Sequence, residues 1–375
     1  PGSVALYPHA EITAVSAEAA TIRLTDRGGG IGPVQVLVNG TEILADARGA
    51  GDPASGAEIR VDLGAAQRFL VPGMNTLEVV VSSADGSLRS RRIRAPFEVA
   101  DLRGQGPEGR PPEAYTPHLW AVVVGTSDYL DDALDLSFAA KDAVDIAAAL
   151  RIAGGRLLSP ERTHVTVLST ESDDTARWPT RERVLATLDS VAALADPRDV
   201  LVVYLAGHGI VGGDDGYTYL THVAVSPEAS GDAPGALTSA TLTEALKQVP
   251  ALKRVLILDT CASGDLVDDL SVVRATDGDQ TRSLDRLKDR TGTFILAGST
   301  ADRPSYEASQ YAQGLLTWSL LDGMRGAALR DGGEVDVVRL FGHALDTVPA
   351  LARGVGGVQA PTMVMPAGGG SFPIG

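Results

Sequence analysis

Arg254-Val255-Leu256-Ile257-Leu258-Asp259-Thr260-Cys261-Ala262-Ser263-Gly264 decides how the rest of this chain is read. Its four consecutive apolar residues form a run too short for a helix and suited to a strand buried on both faces. The run opens directly into Asp-Thr-Cys and three small residues. Cys261 is the only cysteine among 375 residues. A lone thiol at the carboxyl end of a buried strand, with small neighbours that leave room around it, is placed as a nucleophile would be. The plain alternative is a small hydrophobe capping a strand, since free cysteine is usually buried and inert. Alone, the stretch leaves both readings open.

Upstream, Val200-Leu201-Val202-Val203-Tyr204-Leu205 is a second buried-strand run, and it ends in Ala206-Gly207-His208-Gly209. Glycine on both sides of a histidine lets the backbone turn sharply and approach a ligand closely. A single histidine is more often structural than catalytic. Two matched strands, each ending in a different half of a nucleophile–base pair, favour chemistry. In open parallel sheets ligands bind beyond the carboxyl ends of the strands, which is where His208 and Cys261 would stand.

These two segments, Tyr204 to Gly209 and Asp259 to Gly264, resemble the caspase-like cysteine peptidases, and the metacaspase (bacterial orthocaspase) branch more than the animal caspases. Cys261 follows His208 by 53 residues, against roughly 50 in caspases. The Gln-Ala-Cys-x-Gly signature of animal caspases is absent, and an Asp stands two before the cysteine, as in metacaspases. The likeness runs from about residue 118 to the C-terminus.

Composition narrows the partners. With 32 basic and 48 acidic residues the formal net charge is −16, which disfavours nucleic acid and anionic membranes and suits cationic substrates. One cysteine allows no disulfide within the chain, consistent with a reducing compartment and a cytoplasmic location. No apolar run of 18 residues exists to span a membrane. The chain begins at Pro1 rather than Met, so a fragment or processed form is expected, with an upstream regulatory segment or activator protein outside it.

Residues 1–100 alternate as short strands: Thr21–Thr25, Val34–Val38 before the hairpin signal Asn39-Gly40, Ile59–Leu63, Thr76–Val81 and a last strand at Leu88–Ile93. That spacing implies a small β-sandwich, immunoglobulin-like in size. His9 and Asp26 read as surface residues, and docking or positioning is the default role. Residues 101–117, dense in Gly and Pro, read as a linker. From 118 to 375, strand and helix alternate: Leu119–Val124, a helix on Ala143, Ile146, Ala147 and Leu150, a strand at His164–Leu168, and a helix on Val184, Leu188 and Val191. The two motif strands follow, separated by a helix at Ala240–Val249, then a strand at Thr293–Leu296 and helices at Leu315–Met324 and Val337–Leu345. The fold class is therefore α/β: a doubly wound, mostly parallel sheet with helices on both faces, preceded by an all-β domain. Asp265–Arg290 shows no sustained periodicity and reads as a mobile loop.

The resemblance implies a cysteine endopeptidase cleaving proteins after Arg or Lys. His208 would take the proton from Cys261, and the backbone N–H groups of Gly209 and Cys261 would hold the oxyanion. No third member of a triad is named. Asp259, two before the nucleophile, would face the substrate residue preceding the scissile bond, where a buried carboxylate demands a cation. Asp142 falls at the position of a second pocket acid; the alternative is a carboxylate meeting the helix macrodipole. Ala206 stands where metacaspases usually carry serine, which removes one pocket hydrogen bond. Calcium activation would rest on Asp268, with Asp214 and Asp215 contributing, though no EF-hand loop is present and solvated loop acids are the alternative. No other cofactor is implied. Arg274, Arg282, Arg286, Lys288 and Arg290 offer sites for self-cleavage after the nucleophile. The setting implied is regulated bacterial signalling, defence or cell death. A catalytically silent scaffold remains the competing reading, while a serine hydrolase or a Walker-type nucleotide site lacks its motif.

Overall fold

The computed structural model describes residues 6–49, 55–100, 115–211, 216–225, 233–262, 277–298, 307–308, 312–330 and 333–375, with backbone alone at 261–262, 277–278 and 307–308. The chain divides into two compact units, Pro1–Tyr115 and Thr116–Gly375.

The first unit holds β1 (His9–Val15), β2 (Ala19–Thr25), β3 (Val34–Val38), β4 (Thr41–Leu44), β5 (Glu58–Asp62), β6 (Gly73–Val81) and β7 (Ile93–Val99). They form two antiparallel sheets, β1-β2-β5 and β4-β3-β6-β7. Alternate residues of both, Ile22, Leu24 and Val61 from one and Val36, Leu77, Val79 and Phe97 from the other, share one core, as period-two patterning dictates. Asn39 (φ 49°) and Gly40 (φ 82°) make the β3–β4 turn, whose twist matches the strands. His9, which opens β1, and Asp26 are both exposed. One expectation needs correction. The last strand is Ile93–Val99 rather than Leu88–Ile93, because the Ser83 and Asp85 side chains bond within the Ser83–Leu88 segment, and ladder pairing with β6 resumes only at Val79 opposite Ile93.

The second unit runs β8 (Leu119–Gly125), α1 (Ala139–Leu157), β9 (Thr163–Ser169), α2 (Arg181–Leu194), β10 (Val200–Val211), β11 (Tyr217–Leu220), β12 (Ala236–Thr238), α3 (Ser239–Gln248), β13 (Lys253–Ala262), α4 (Asp277–Thr291), β14 (Phe294–Ala297), the short β15 (Glu307–Ala308) and β16 (Gln313–Gly314), α5 (Leu315–Asp322), α6 (Val337–Gly354) and β17 (Thr362–Val364). Strands β9-β8-β10-β13-β14 are parallel and β17 closes the sheet antiparallel. The alternation is interrupted where β10 overhangs its neighbours and folds back antiparallel onto β11, which pairs with β12.

Helices cover both faces. Val202 and Tyr204 pack toward α1, α5 and α6, whereas Leu201, Val203 and Leu205 pack toward α2, α3 and α4. Both sides of β10 are thus buried, which is why its sequence is apolar without alternation.

The stretch read as a mobile loop contains a helix. α4 spans Asp277–Thr291, and among its described side chains Gln280, Ser283, Leu284, Leu287 and Thr291 are the buried ones, at helical spacing. Three of the five are polar, so the apolar periodicity is too sparse to see. α6 also runs beyond the anticipated Leu345, through Pro349 to Gly354.

Candidate active site

β10 and β13 are in register, with Ala206 opposite Asp259 and His208 opposite Cys261. The two motifs therefore end side by side at the carboxyl edge of the sheet. Gly207 has φ 147°, and a Cβ there would stand 2.8 Å from the Tyr129 hydroxyl. A Cβ on Gly209 would stand 2.6 Å from Thr260 Oγ1. Both flanking glycines are required, the first by conformation and both by space.

His208 is buried, at 5% exposure. Its Nε2 lies 2.8 Å from the Leu134 carbonyl oxygen. A carbonyl only accepts, so the ring carries its proton on Nε2 and leaves Nδ1 as the nitrogen able to accept one. The backbone N–H of His208 donates to the Tyr129 hydroxyl at 2.9 Å, and the two rings lie 5.2 Å apart. Both partners arrive on the loop after β8, which its own polar groups close. Leu136 N–H donates to the Ser127 carbonyl, Tyr129 N–H to Asp135 Oδ1, and Ala133 N–H to Asp131 Oδ1. Tyr219 adds a third clamp, donating its hydroxyl to the Ala206 carbonyl at 2.8 Å.

Asp259 and Asp142 form the second part of the site. Asp259 Oδ2 accepts from Thr317 Oγ1 at 2.6 Å and from the Tyr204 hydroxyl at 3.1 Å. Asp142 lies in the first turn of α1, but its Oδ2 accepts from Gly314 N–H, across the fold, at 2.8 Å. Its Oδ1 is buried with no hydrogen-bond partner among the described residues. A Cβ on Gly314 would lie 3.0 Å from Asp142 Oδ2 and 3.4 Å from Asp259 Oδ2, so the two carboxylates converge on the space this glycine leaves open. Burial, then the charge of Asp259, pushes the Asp142 carboxyl up to about 8, against the Gly314 N–H and Lys141, which favour ionisation. Burial together with the Asp259 and Asp142 charges drives the Tyr204 hydroxyl far up, so it stays a donor. Nearby, Asp145 accepts from Lys141 Nζ at 2.6 Å and from Gln313 Nε2 at 2.7 Å. Two carboxylates buried this close together carry an electrostatic cost that a cationic ligand would relieve.

Of the residues singled out in the sequence, the structure brings His208, Gly209, position 261, Asp259 and Asp142 to one end of the sheet. Asp268, Asp214, Asp215 and Arg274 lie outside the described residues. Among those described, no group of three or more His, Cys, Asp or Glu side chains is arranged to hold a metal ion, and no helix is long and apolar enough to cross a membrane. Tyr129, the Leu134 carbonyl, Tyr204, Gly314 and Thr317 belong to the site and escaped the sequence reading. Thr317 and Gly314 follow no acid or histidine that would mark them, and a carbonyl has no side-chain signal at all.

The family described as Caspase domain (Peptidase_C14) matches residues 118–365. The chain belongs to the caspase family. Its caspase domain makes it a cysteine peptidase with protein substrates, on a mixed, mostly parallel α/β sheet. Among solved structures, this caspase-family chain is similar to the crystal structure of caspase-1 from Spodoptera frugiperda, at 11% identity and TM-score 0.40, covering 67% of this chain and 87% of that one. It is similar also to pro-sf-caspase-1, at 11% identity and TM-score 0.41, covering 67% and 92%. Among curated proteins, none matches this sequence.

Proposed function

We propose that this caspase-family chain is a metacaspase-type endopeptidase that cleaves proteins after Arg or Lys through a Cys261–His208 dyad. The observation that carries the specificity is the convergence of Asp142 and Asp259 on the space beside Gly314, two residues along β13 from the nucleophile position. An entering guanidinium or ammonium would meet the buried Asp142 Oδ1, which has no hydrogen-bond partner among the described residues, and the hydroxyl-braced carboxylate of Asp259. An aspartate would bring further negative charge against this buried pair of acids.

The dyad then works as follows. His208 Nδ1 takes the proton from the Cys261 thiol. The thiolate attacks the carbonyl carbon of the scissile peptide, and the oxyanion is held by the backbone N–H groups of Gly209 and Cys261. The C–N bond breaks as His208 returns the proton to the leaving amine, and water cleaves the resulting thioester. Calcium activation through Asp268 and self-processing after Arg274 belong to the same proposal.

Hydrolysis of fluorogenic peptides ending in Arg, Lys or Asp, with calcium or with chelator, tests it against Cys261→Ala. Cleavage after Arg or Lys that disappears in the variant is the expected result. Cleavage after Asp alone removes the acidic-pocket reading. No cleavage in either metal condition overturns the peptidase in favour of a scaffold.

A further inference from the structure

We propose that Tyr129 is a positioning residue for His208: its hydroxyl takes the place of a missing strand partner and fixes where the imidazole stands. The inference rests on the dyad reading and goes beyond it.

Pairing between β10 and β8 runs from Val200 opposite Leu119 to Ala206 opposite Gly125 and stops there. His208, two residues further on, has no β8 residue beside it. A buried backbone N–H left without an acceptor is costly. The chain solves this with a side chain: four residues past the end of β8, the Tyr129 hydroxyl accepts the His208 N–H at 2.9 Å. Room for that hydroxyl exists because residue 207 is glycine, where a Cβ would stand 2.8 Å from it. The hydroxyl faces the Leu220 carbonyl, at 3.5 Å, and the ring packs with Leu134, Leu220, Ala224 and Ala236.

One loop therefore grips His208 at two points. The Tyr129 hydroxyl holds its backbone, and the Leu134 carbonyl, five residues later, holds its Nε2. Asp135 ties the two grips together by accepting the Tyr129 N–H at 2.9 Å. Moving the backbone of residue 208 displaces Nδ1 relative to position 261 while the carbonyl still holds the far side of the ring. A displacement of about 1 Å at a reacting centre costs up to a hundredfold in rate. The described hydroxyl bonds of Tyr129 go to the His208 N–H and the Leu220 carbonyl, so its effect falls on turnover and on the poise of the thiol.

The test is Tyr129→Phe in the full chain, which keeps the ring and removes the hydroxyl. Expected is a loss of about ten- to hundredfold in kcat on an Arg peptide with KM held within about twofold. Because Cys261 is the only thiol, the pH profile of its alkylation by iodoacetamide reads the dyad without any substrate. That profile should move toward an ordinary thiol, near pH 8.5. Asp135→Ala, at an exposed residue, should move kcat and the profile the same way by less, and serves if the phenylalanine variant fails to fold. A Tyr129→Phe protein with wild-type kcat and an unchanged profile overturns the proposal, as does a lower melting temperature alone. His208→Ala separates the two levels: if it leaves the alkylation profile unchanged, the dyad reading itself fails and the positioning role goes with it.

Discussion

Asp142→Asn should make the protein more stable at pH 8 and a poorer enzyme. Asp142 is 3% exposed and its carboxyl is pushed up to about 8 from 3.8, by burial first and the charge of Asp259 second. Between those two values the folded protein holds a proton that the unfolded chain releases. Stability contributed by this group is therefore lost as pH rises from about 4 toward 8, the reverse of an aspartate held low by a salt bridge. Each pH unit in that window is worth up to about 1.4 kcal/mol. Because the charge of Asp259 contributes to that shift, the accumulated penalty by pH 8 is held to about 2 to 3 kcal/mol. Asparagine has no charge to bury, and its carbonyl still accepts the Gly314 N–H. At roughly 2 to 4 °C per kcal/mol for a domain of this size, the variant should melt about 5 to 10 °C higher at pH 8.

The same substitution removes a charged partner from an entering Arg or Lys. A hydrogen bond to a charged group contributes about 1.5 to 3 kcal/mol, so kcat/KM on Arg peptides should fall about ten- to a hundredfold. Scanning fluorimetry of both proteins from pH 4.5 to 8.5, beside kcat/KM at pH 8, checks both halves. The stability gap should be small at pH 4.5 and widen with pH. A gap that is constant across the range, or a variant melting at or below the parent at pH 8, refutes the burial argument. Undiminished Arg cleavage refutes the pocket.

Thr317→Val removes the 2.6 Å hydroxyl from Asp259 at nearly constant volume. It should raise KM for Arg peptides severalfold, from about 1 kcal/mol of lost bonding, with little change in kcat. Arg254 is 1% exposed and donates to the Val249 and Thr291 carbonyls, at the ends of α3 and α4. Arg254→Met should lower stability by about 3 kcal/mol, read as a reduced urea midpoint with unchanged slope. Self-processing, where it occurs, should not leave termini at Arg282, Arg286, Lys288 or Arg290, because all four lie in α4 and three are ion-paired there, Arg282 to Asp279, Lys288 to Asp285 and Arg290 to Glu244. Intact mass and N-terminal sequencing of active protein check this, and a fragment ending at any of them contradicts it.

The sheet was legible because β8, β10 and β13 are buried on both faces and so carry unbroken apolar runs, a pattern few other structures impose. α4 was not, since Gln280 and Ser283 occupy core positions with bonds to spare: the Ser283 hydroxyl accepts from Tyr217 N–H and donates to Ser239 Oγ. Buried polar residues that satisfy one another erase the very signal that periodicity reads. The same asymmetry divides the site. His208, Asp259, Asp142 and Cys261 announce themselves because their side chains would carry the proposed chemistry. Tyr129 and Leu134 do not, because one works through a hydroxyl on an unremarkable aromatic and the other through a carbonyl that every residue owns. Both depend on where the loop after β8 closes, and that closure is set by Asp131 and Asp135, which in sequence are two more acids in an acidic protein.

The strand places the proposed pocket acid and the proposed nucleophile close together. Positions 259 and 261 are two apart in β13, hence of the same parity and about 6.6 Å apart along the strand. Parallel register sets Tyr204 opposite Ile257, Ala206 opposite Asp259 and His208 opposite Cys261. The proposed acid and nucleophile on one strand thus meet a hydroxyl, a small residue and the proposed base on the next, in a single two-residue step. Ala206, where a serine would add a pocket hydrogen bond, is buried at 1% exposure, and Asp259 draws its donors instead from Thr317 on α5 and from Tyr204, one step back along β10. Among the described hydrogen bonds, the proposed pocket acid is braced by Thr317 and Tyr204. Ala206→Ser should then change Arg affinity modestly, whereas loss of Thr317 should change it more, a ranking that paired KM measurements on the two variants decide.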